Sequence, residues 1–116
     1  LGGGLAGGLA ALAMKREQAD LRVALVEAGP RFGGNHLWSF FESDVAADQR
    51  ALLEPLIGHY WDNYEVRFPA YGRVVEQPYR SIESEALDRE VRSALGKDAM
   101  ANAKAMRIMP NIQAKL

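Results

Sequence analysis

Along residues 5–17 the apolar side chains fall at Leu5, Leu9 and Leu12, with alanines between them and a polar end at Lys15, Arg16 and Glu17. This i, i+4, i+7 spacing predicts an α-helix, and its small residues suit close packing against a sheet. After a turn at Ala19-Asp20, residues 23–26 form a continuous apolar run. Such a run is expected of a parallel strand buried on both faces. Glu27 ends it, and Gly29-Pro30 and Gly33-Gly34 mark a loop.

The texture changes from residue 43. Ser43 or Asp44 can cap a helix reaching about Tyr60, with Leu52, Leu53, Leu56 and Ile57 on its apolar side. Pro55 predicts a break or kink near Glu54. Residues 64–68 and 73–77 read as short strands around a turn at Pro69-Ala70-Tyr71-Gly72. Ser84 opens a helix with Leu87, Val91 and Leu95 on one face and Gly96 as its stop. Beyond Lys97 no clean period remains, although a strand around 106–109 fits before Pro110.

Composition narrows the classes. The 116 residues carry 14 Lys and Arg against 15 Asp and Glu, a balance that argues against a nucleic-acid surface. Hydrophobic residues at 48% and charged residues at 25% exclude a disordered chain. The absence of cysteine removes disulfides and thiolate metal sites. No histidine has a metal-spaced partner, so no metal is expected. Residues 1–14 are too short and glycine-broken to span a bilayer, which takes ~20 residues, and they lack the cationic start of a signal peptide.

Five of the 11 glycines lie in the first eight residues. Gly2, Gly4 and Gly7 give G-x-G-x-x-G at the opening of a helix. In a dinucleotide site the first glycine permits the tight turn, the second admits a pyrophosphate, and the third lets the helix approach its strand. The amides around Leu5 and Ala6 would face the phosphates, with the positive end of the helix dipole behind them. Glu27 stands 20 residues after Gly7 at the end of the next strand, the spacing of an acid that receives a ribose 2′-hydroxyl. An acid there also disfavours a 2′-phosphate, which points to FAD or NAD rather than NADP. The fingerprint should follow a strand, yet only Leu1 precedes Gly2, so the first strand is expected to be missing. Gly33-Gly34 favours a flavin nucleotide over NAD, but reads equally as a surface turn.

At EAGPRFGGNHLWSF the sequence resembles the bacterial-type lycopene β-cyclases, a family of carotenoid-forming flavoproteins. The matching pieces are GGGLAGGLAAL, DLRVALVEAGP and GGNHLWSF, and then, in the same order, WDNYEVRFP and YRSIESEAL. Leu37 departs from the threonine usual between the histidine and Trp38, and the tail from about Lys97 resembles the family poorly. The resemblance implies an α/β, Rossmann-like FAD-binding fold of the glutathione-reductase type, present in part. Residues 1–41 would be the βαβ remnant, 42–96 inserted helices and short strands, and 97–116 an undefined tail.

The activity implied is closure of β-ionone rings at the ends of lycopene, giving β-carotene without net oxidation. Reduced FAD, regenerated by NADPH or NADH, would assist. The polyene substrate implies an intact enzyme at the cytoplasmic side of a bacterial membrane, associated peripherally. Cofactor contacts are expected at Gly2, Gly4, Leu5, Ala6, Gly7 and Glu27. His36 and Trp38 read as a loop near the flavin or polyene pocket, or equally as packing. Tyr60, Trp61 and Tyr64 are expected to pack at a helix-to-strand corner, and His59 to lie at the surface. The family's later acidic motifs fall outside these residues, so no cyclising acid is assigned. Alternatives are another FAD-dependent oxidoreductase, such as a monooxygenase or isoprenoid reductase, and an inactive truncated chain.

Overall fold

The computed structural model of the chain describes residues 2–96 and 99–101; the strand expected near 106–109 lies outside them. The fold is mixed α/β. Helix α1 spans Leu5–Glu17, as the leucine spacing predicts, and buries Gly8 and Ala11. Strand β1 is Leu25–Glu27, later and shorter than the apolar run at 23–26. Leu25 is buried, whereas Ala24 is exposed, so the run is not covered on both faces. Strand β1 pairs in parallel with a strand at Ala99–Ala101, Leu25 opposite Ala99.

The helix expected over 43–60 does not form. A 3-10 turn at Glu42–Asp44 precedes a single helical turn, α2, at Arg50–Leu53. A second 3-10 turn, Glu54–Leu56, then carries Pro55 at its start. Proline has no N–H for the Ala51 carbonyl and its ring crowds that carbonyl, so the helix cannot continue, and the break falls where it was expected. Past Pro55 the backbone is extended. Residues Ile57–Trp61 form strand β3, because a β-branched and aromatic segment fits a pleated surface and a partner is at hand.

That partner is β6, Tyr79–Glu83, the middle strand of an antiparallel sheet. On its other side lies β2, Leu37–Phe41, with Trp38 opposite Ile82 and Phe41 opposite Tyr79. Strands β4, Tyr64–Phe68, and β5, Tyr71–Val75, form a hairpin across Pro69-Ala70. The second of these begins two residues before the expected 73–77. Among the described residues the hairpin makes no extensive contact beyond its own pairing. Helix α3, Ser84–Leu95, comes directly after β6 and ends at Gly96 with φ 56°. The strand at Ala99–Ala101 is β7.

One apolar cluster joins these pieces. Leu25, Phe32, Leu56, Ile82, Leu87 and Val91 are buried in it, and Trp38, Phe40 and Ile57 cover it from the sheet. The two helices meet so closely that a Cβ on Gly8 would lie 2.9 Å from Leu87 Cδ1. No helix among the described residues is long and apolar enough to cross a membrane.

Candidate functional site

The glycine segment arrives in extended backbone, with Gly4 as N-cap at φ −71° and ψ −174°, and turns into α1. The first helical hydrogen bond runs from the Gly8 amide to the Gly4 carbonyl at 2.9 Å. The amides ahead of it have no intrahelical acceptor, no side chain caps this end, and no acid stands in the first turn. A helix start of this kind offers N–H groups and a positive dipole end to an anion.

The glycines here serve separate purposes. A Cβ on Gly7 would sit 2.1 Å from the Gly2 carbonyl oxygen, so the first helical turn touches the strand-side backbone. A Cβ on Gly3 would strike Phe32 Cδ1 at 2.3 Å. At Gly4 a Cβ would meet nothing within 4 Å. Packing therefore requires Gly3 and Gly7, while the space before Gly4 is open and can take a ligand.

Glu27 lies beside this opening. Its Oε2 accepts from the Gly3 amide at 2.8 Å and its Oε1 from the Gly29 amide at 2.9 Å. Those amides, Gly29 foremost and then Gly3, hold the carboxyl below its usual range against an opposing desolvation. A carboxylate has about four lone-pair sites, so two remain for hydroxyl donors. Gly2, Gly4, Leu5, Ala6 and Gly7 thus lie at one helix start, with Glu27 beside it. They fit a nucleotide's pyrophosphate at the amides and a ribose at the acid.

The loop after Glu27 is fastened from two sides. The Gly33 amide donates to the Gly3 carbonyl at 2.7 Å, joining the two glycine segments. From α3, Asp88 accepts the Phe32 amide at 2.8 Å, and Arg92 donates to the Pro30 carbonyl at 3.1 Å. Arg92 also bonds Asp88 at 2.9 Å and lies 5.2 Å over the Phe32 ring. Gly33 and Gly34 have φ of 77° and 63°, a left-handed path that favours glycine. A Cβ on Gly33 would also lie 2.9 Å from Trp38 Cη2. Gly3, Phe32, Asp88 and Arg92 belong to no motif that the sequence displays. Only the position of Gly3 within the glycine cluster was a local signal.

His36 and Trp38 do not form a loop together. Trp38 belongs to β2 and packs on the core, because the segment 37–41 is aromatic and finds β6 as partner. His36 precedes the strand, its carbonyl accepting the Ser84 amide at 3.0 Å, and its ring lies 5.9 Å from that of Trp38. Tyr60, Trp61 and Tyr64, expected to pack at a corner, are on strands and exposed. His59 is exposed as expected, with Nε2 at 3.0 Å from Glu83 Oε1.

A separate cleft of about 290 Å³ lies under α2, lined by Phe40, Leu53, Ile57 and Tyr60 with Arg50 and Arg80. Glu42 pairs with both arginines, one carboxylate between two guanidinium groups.

Comparison with known sequences covers nearly the whole chain. The family described as lycopene cyclase protein matches residues 1–115. A lycopene beta-cyclase of Pseudescherichia vulneris is 41% identical over 111 residues, which is 96% of this chain and 29% of that protein. One from Pantoea ananas is 39% identical over 115 residues, 93% of this chain and 30% of the relative. One from a Paracoccus species is 44% identical over 95 residues, 79% of this chain and 24% of the relative. The chain spans less than a third of the length of these relatives.

Proposed function

Because the chain belongs to the lycopene cyclase family, we propose that the intact protein closes β-ionone rings at the ends of lycopene to give β-carotene, without net redox change. The observation that carries this reading is the match over residues 1–115 together with three relatives that all bear the cyclase name.

The nucleotide opening supports FAD as the cofactor in a Rossmann-like domain. The free amides at Leu5, Ala6 and Gly7 would hold the pyrophosphate, the space before Gly4 would admit it, and Gly2 and Gly7 would keep the turn tight. Glu27 would receive ribose hydroxyls on its two remaining lone-pair sites. Its Gly3 and Gly29 hydrogen bonds fix the carboxylate's orientation before any ligand arrives. The loop fastened by Asp88 and Arg92 would lie along the nucleotide and shield it from water. When bound, reduced flavin supplies electron density that favours positive charge in a dry pocket, with NADPH or NADH as reductant.

A polyene substrate would put the intact protein at the cytoplasmic face of the membrane as a peripheral enzyme. Purified full-length protein should show a flavin spectrum and convert lycopene to β-carotene under reducing conditions. Flavin without ring closure would move the reading to another flavin-dependent oxidoreductase, and absence of flavin would refute both.

A further inference from the structure

Both oxygens of Glu27 are oriented by the loop that follows it. Oε1 accepts the Gly29 amide at 2.9 Å, at the start of that loop. Oε2 accepts the Gly3 amide at 2.8 Å, and Gly3 is itself tied to the loop, its carbonyl accepting the Gly33 amide at 2.7 Å. The Phe32 ring closes another side of Gly3, since a Cβ there would strike Phe32 Cδ1 and come within 3.0 Å of Glu27 Cβ. The direction in which the carboxylate presents its remaining lone pairs is therefore set by where residues 29–33 lie.

Helix α3 sets the course of that segment. Asp88 Oδ1 accepts the Phe32 amide at 2.8 Å, and Arg92 Nη2 donates to the Pro30 carbonyl at 3.1 Å. One side chain receives and the other gives, so the segment is fixed in direction as well as in place. The two are bonded to each other at 2.9 Å across one helical turn, and Arg92 covers the Phe32 ring at 5.2 Å. Apolar contact already holds the loop on the core, because Phe32 is fully buried and Leu87 lies against Gly33. Such contact is non-directional, whereas a hydrogen-bonded fork fixes the orientation of the backbone. The Asp88 side chain is 18% and that of Arg92 41% exposed, so the fork lies at the rim and can be cut without opening the core.

We propose that Asp88 and Arg92 are positioning residues of the nucleotide site, acting through residues 29–33 and Gly3 to hold the Glu27 carboxylate in the direction that receives ribose hydroxyls. This rests on the flavin reading for the ligand, while the chain of contacts from α3 to Glu27 rests on the hydrogen bonds. A carboxylate held in advance spares the ordering that binding would otherwise cost. With the fork cut, Glu27 and its loop order only when the nucleotide arrives, and the nucleotide leaves sooner.

The test uses full-length, FAD-loaded protein and follows flavin release after dilution by ultrafiltration. Asp88→Ala, Asp88→Asn and Arg92→Ala are compared with wild type, each alone and combined with Glu27→Gln. Asp88→Ala should speed release about tenfold or more, and Arg92→Ala about threefold or more. Asp88→Asn keeps an oxygen for the Phe32 amide and should restore most of the retention. The double variants decide between positioning and mere support. Glutamine has a single acceptor oxygen and cannot receive the Gly3 and Gly29 amides on separate oxygens, so the loop no longer orients it. Adding Asp88→Ala to Glu27→Gln should therefore speed release by less than about threefold. A structural tie would weaken both backgrounds alike, so an equal effect in the two overturns the positioning role. Release from Asp88→Ala at the wild-type rate overturns it as well. Should Asp88→Ala lose its thermal transition, the exposed Arg92→Ala decides by the same loss of effect in the Glu27→Gln background. Wild type that retains no FAD overturns the flavin reading and this role with it, whereas retained flavin without coupling overturns the role alone.

Discussion

Around the glycine loop one added methyl group collides with protein at Gly3, Gly7 and Gly8, whereas on the outer sheet face entire aromatic rings stand half in solvent. Both regions belong to one chain and share one core cluster. The first region is closed at Gly3, Gly7 and Gly8 and open before Gly4, so its shape is spent on a defined opening. The second has its inner face covered by Ile82, Ile57 and Trp38 and carries half-exposed rings on its outer face. A packed interior cannot be altered without strain, while substitutions at exposed side chains usually change stability little. Stability should therefore track the glycine loop and its helices, and ligand affinity should track Gly4 and Glu27.

The largest effect is expected at Leu87. It is fully buried and lies against both Gly8 and Gly33, so it joins α1, α3 and the fastened loop. Leu87→Ala should cost about 2–5 kcal/mol of unfolding free energy, read from the denaturant midpoint of the intact protein. A cost below about 1 kcal/mol would show that the two helices do not depend on this contact.

The elements around Leu87 were legible because their apolar residues are periodic: Leu5, Leu9 and Leu12 in α1, and Leu87, Val91 and Leu95 in α3. The sheet was not. In segment 37–41 Trp38 and Phe40 face the core while Phe41 joins the outer rings, so apolar residues occupy both faces and period 2 disappears. Residues 52, 53, 56 and 57 have helical spacing, but Pro55 removes the backbone donor and Ile57 pairs with Ile82 instead. The same limit applies to the candidate site. Gly2, Gly4, Gly7 and Glu27 could be found from local spacing. Asp88 and Arg92, 56 and 62 residues from the loop groups they hold, leave no trace at short range.

Alanine at Gly7 and at Gly4 separates packing from binding within one loop. Gly7→Ala drives a Cβ against the Gly2 carbonyl and should cost about 1–3 kcal/mol through overpacking. Gly4→Ala meets no protein atom within 4 Å, and should leave the unfolding midpoint within the small range of a surface change while releasing flavin. If Gly4→Ala retains full flavin content, the opening before it is not the pyrophosphate site. Equal destabilisation by both changes would instead mean that Gly4 is packed like its neighbour.

Glu27 bridges the two roles, and pH resolves them. Its carboxyl is held below the usual range by the Gly29 and Gly3 amides. The folded state therefore binds this proton less readily than the unfolded one. The stabilisation is fully present above the ordinary glutamate value of about 4.3 and is lost as pH falls through the lower folded-state value. Glu27→Gln should lower the urea midpoint at neutral pH, with the gap to wild type closing under acid. It should also weaken flavin binding by on the order of 1–3 kcal/mol, the cost of an unmade charge-assisted hydrogen bond. A gap independent of pH would remove the carboxylate's charge from the account.

The smallest expected effect lies beneath the outer rings. Ser81 is 1% exposed in the middle strand, and its Oγ has no hydrogen-bond partner among the described residues. A buried hydroxyl without a partner costs about 1–3 kcal/mol, so Ser81→Ala removes a liability and leaves the Ile82 side of the strand untouched. The urea midpoint of the flavin-loaded protein should stay level or rise slightly. A clear fall would mean that the hydroxyl is satisfied in the intact protein and that the outer face is covered there by polar structure.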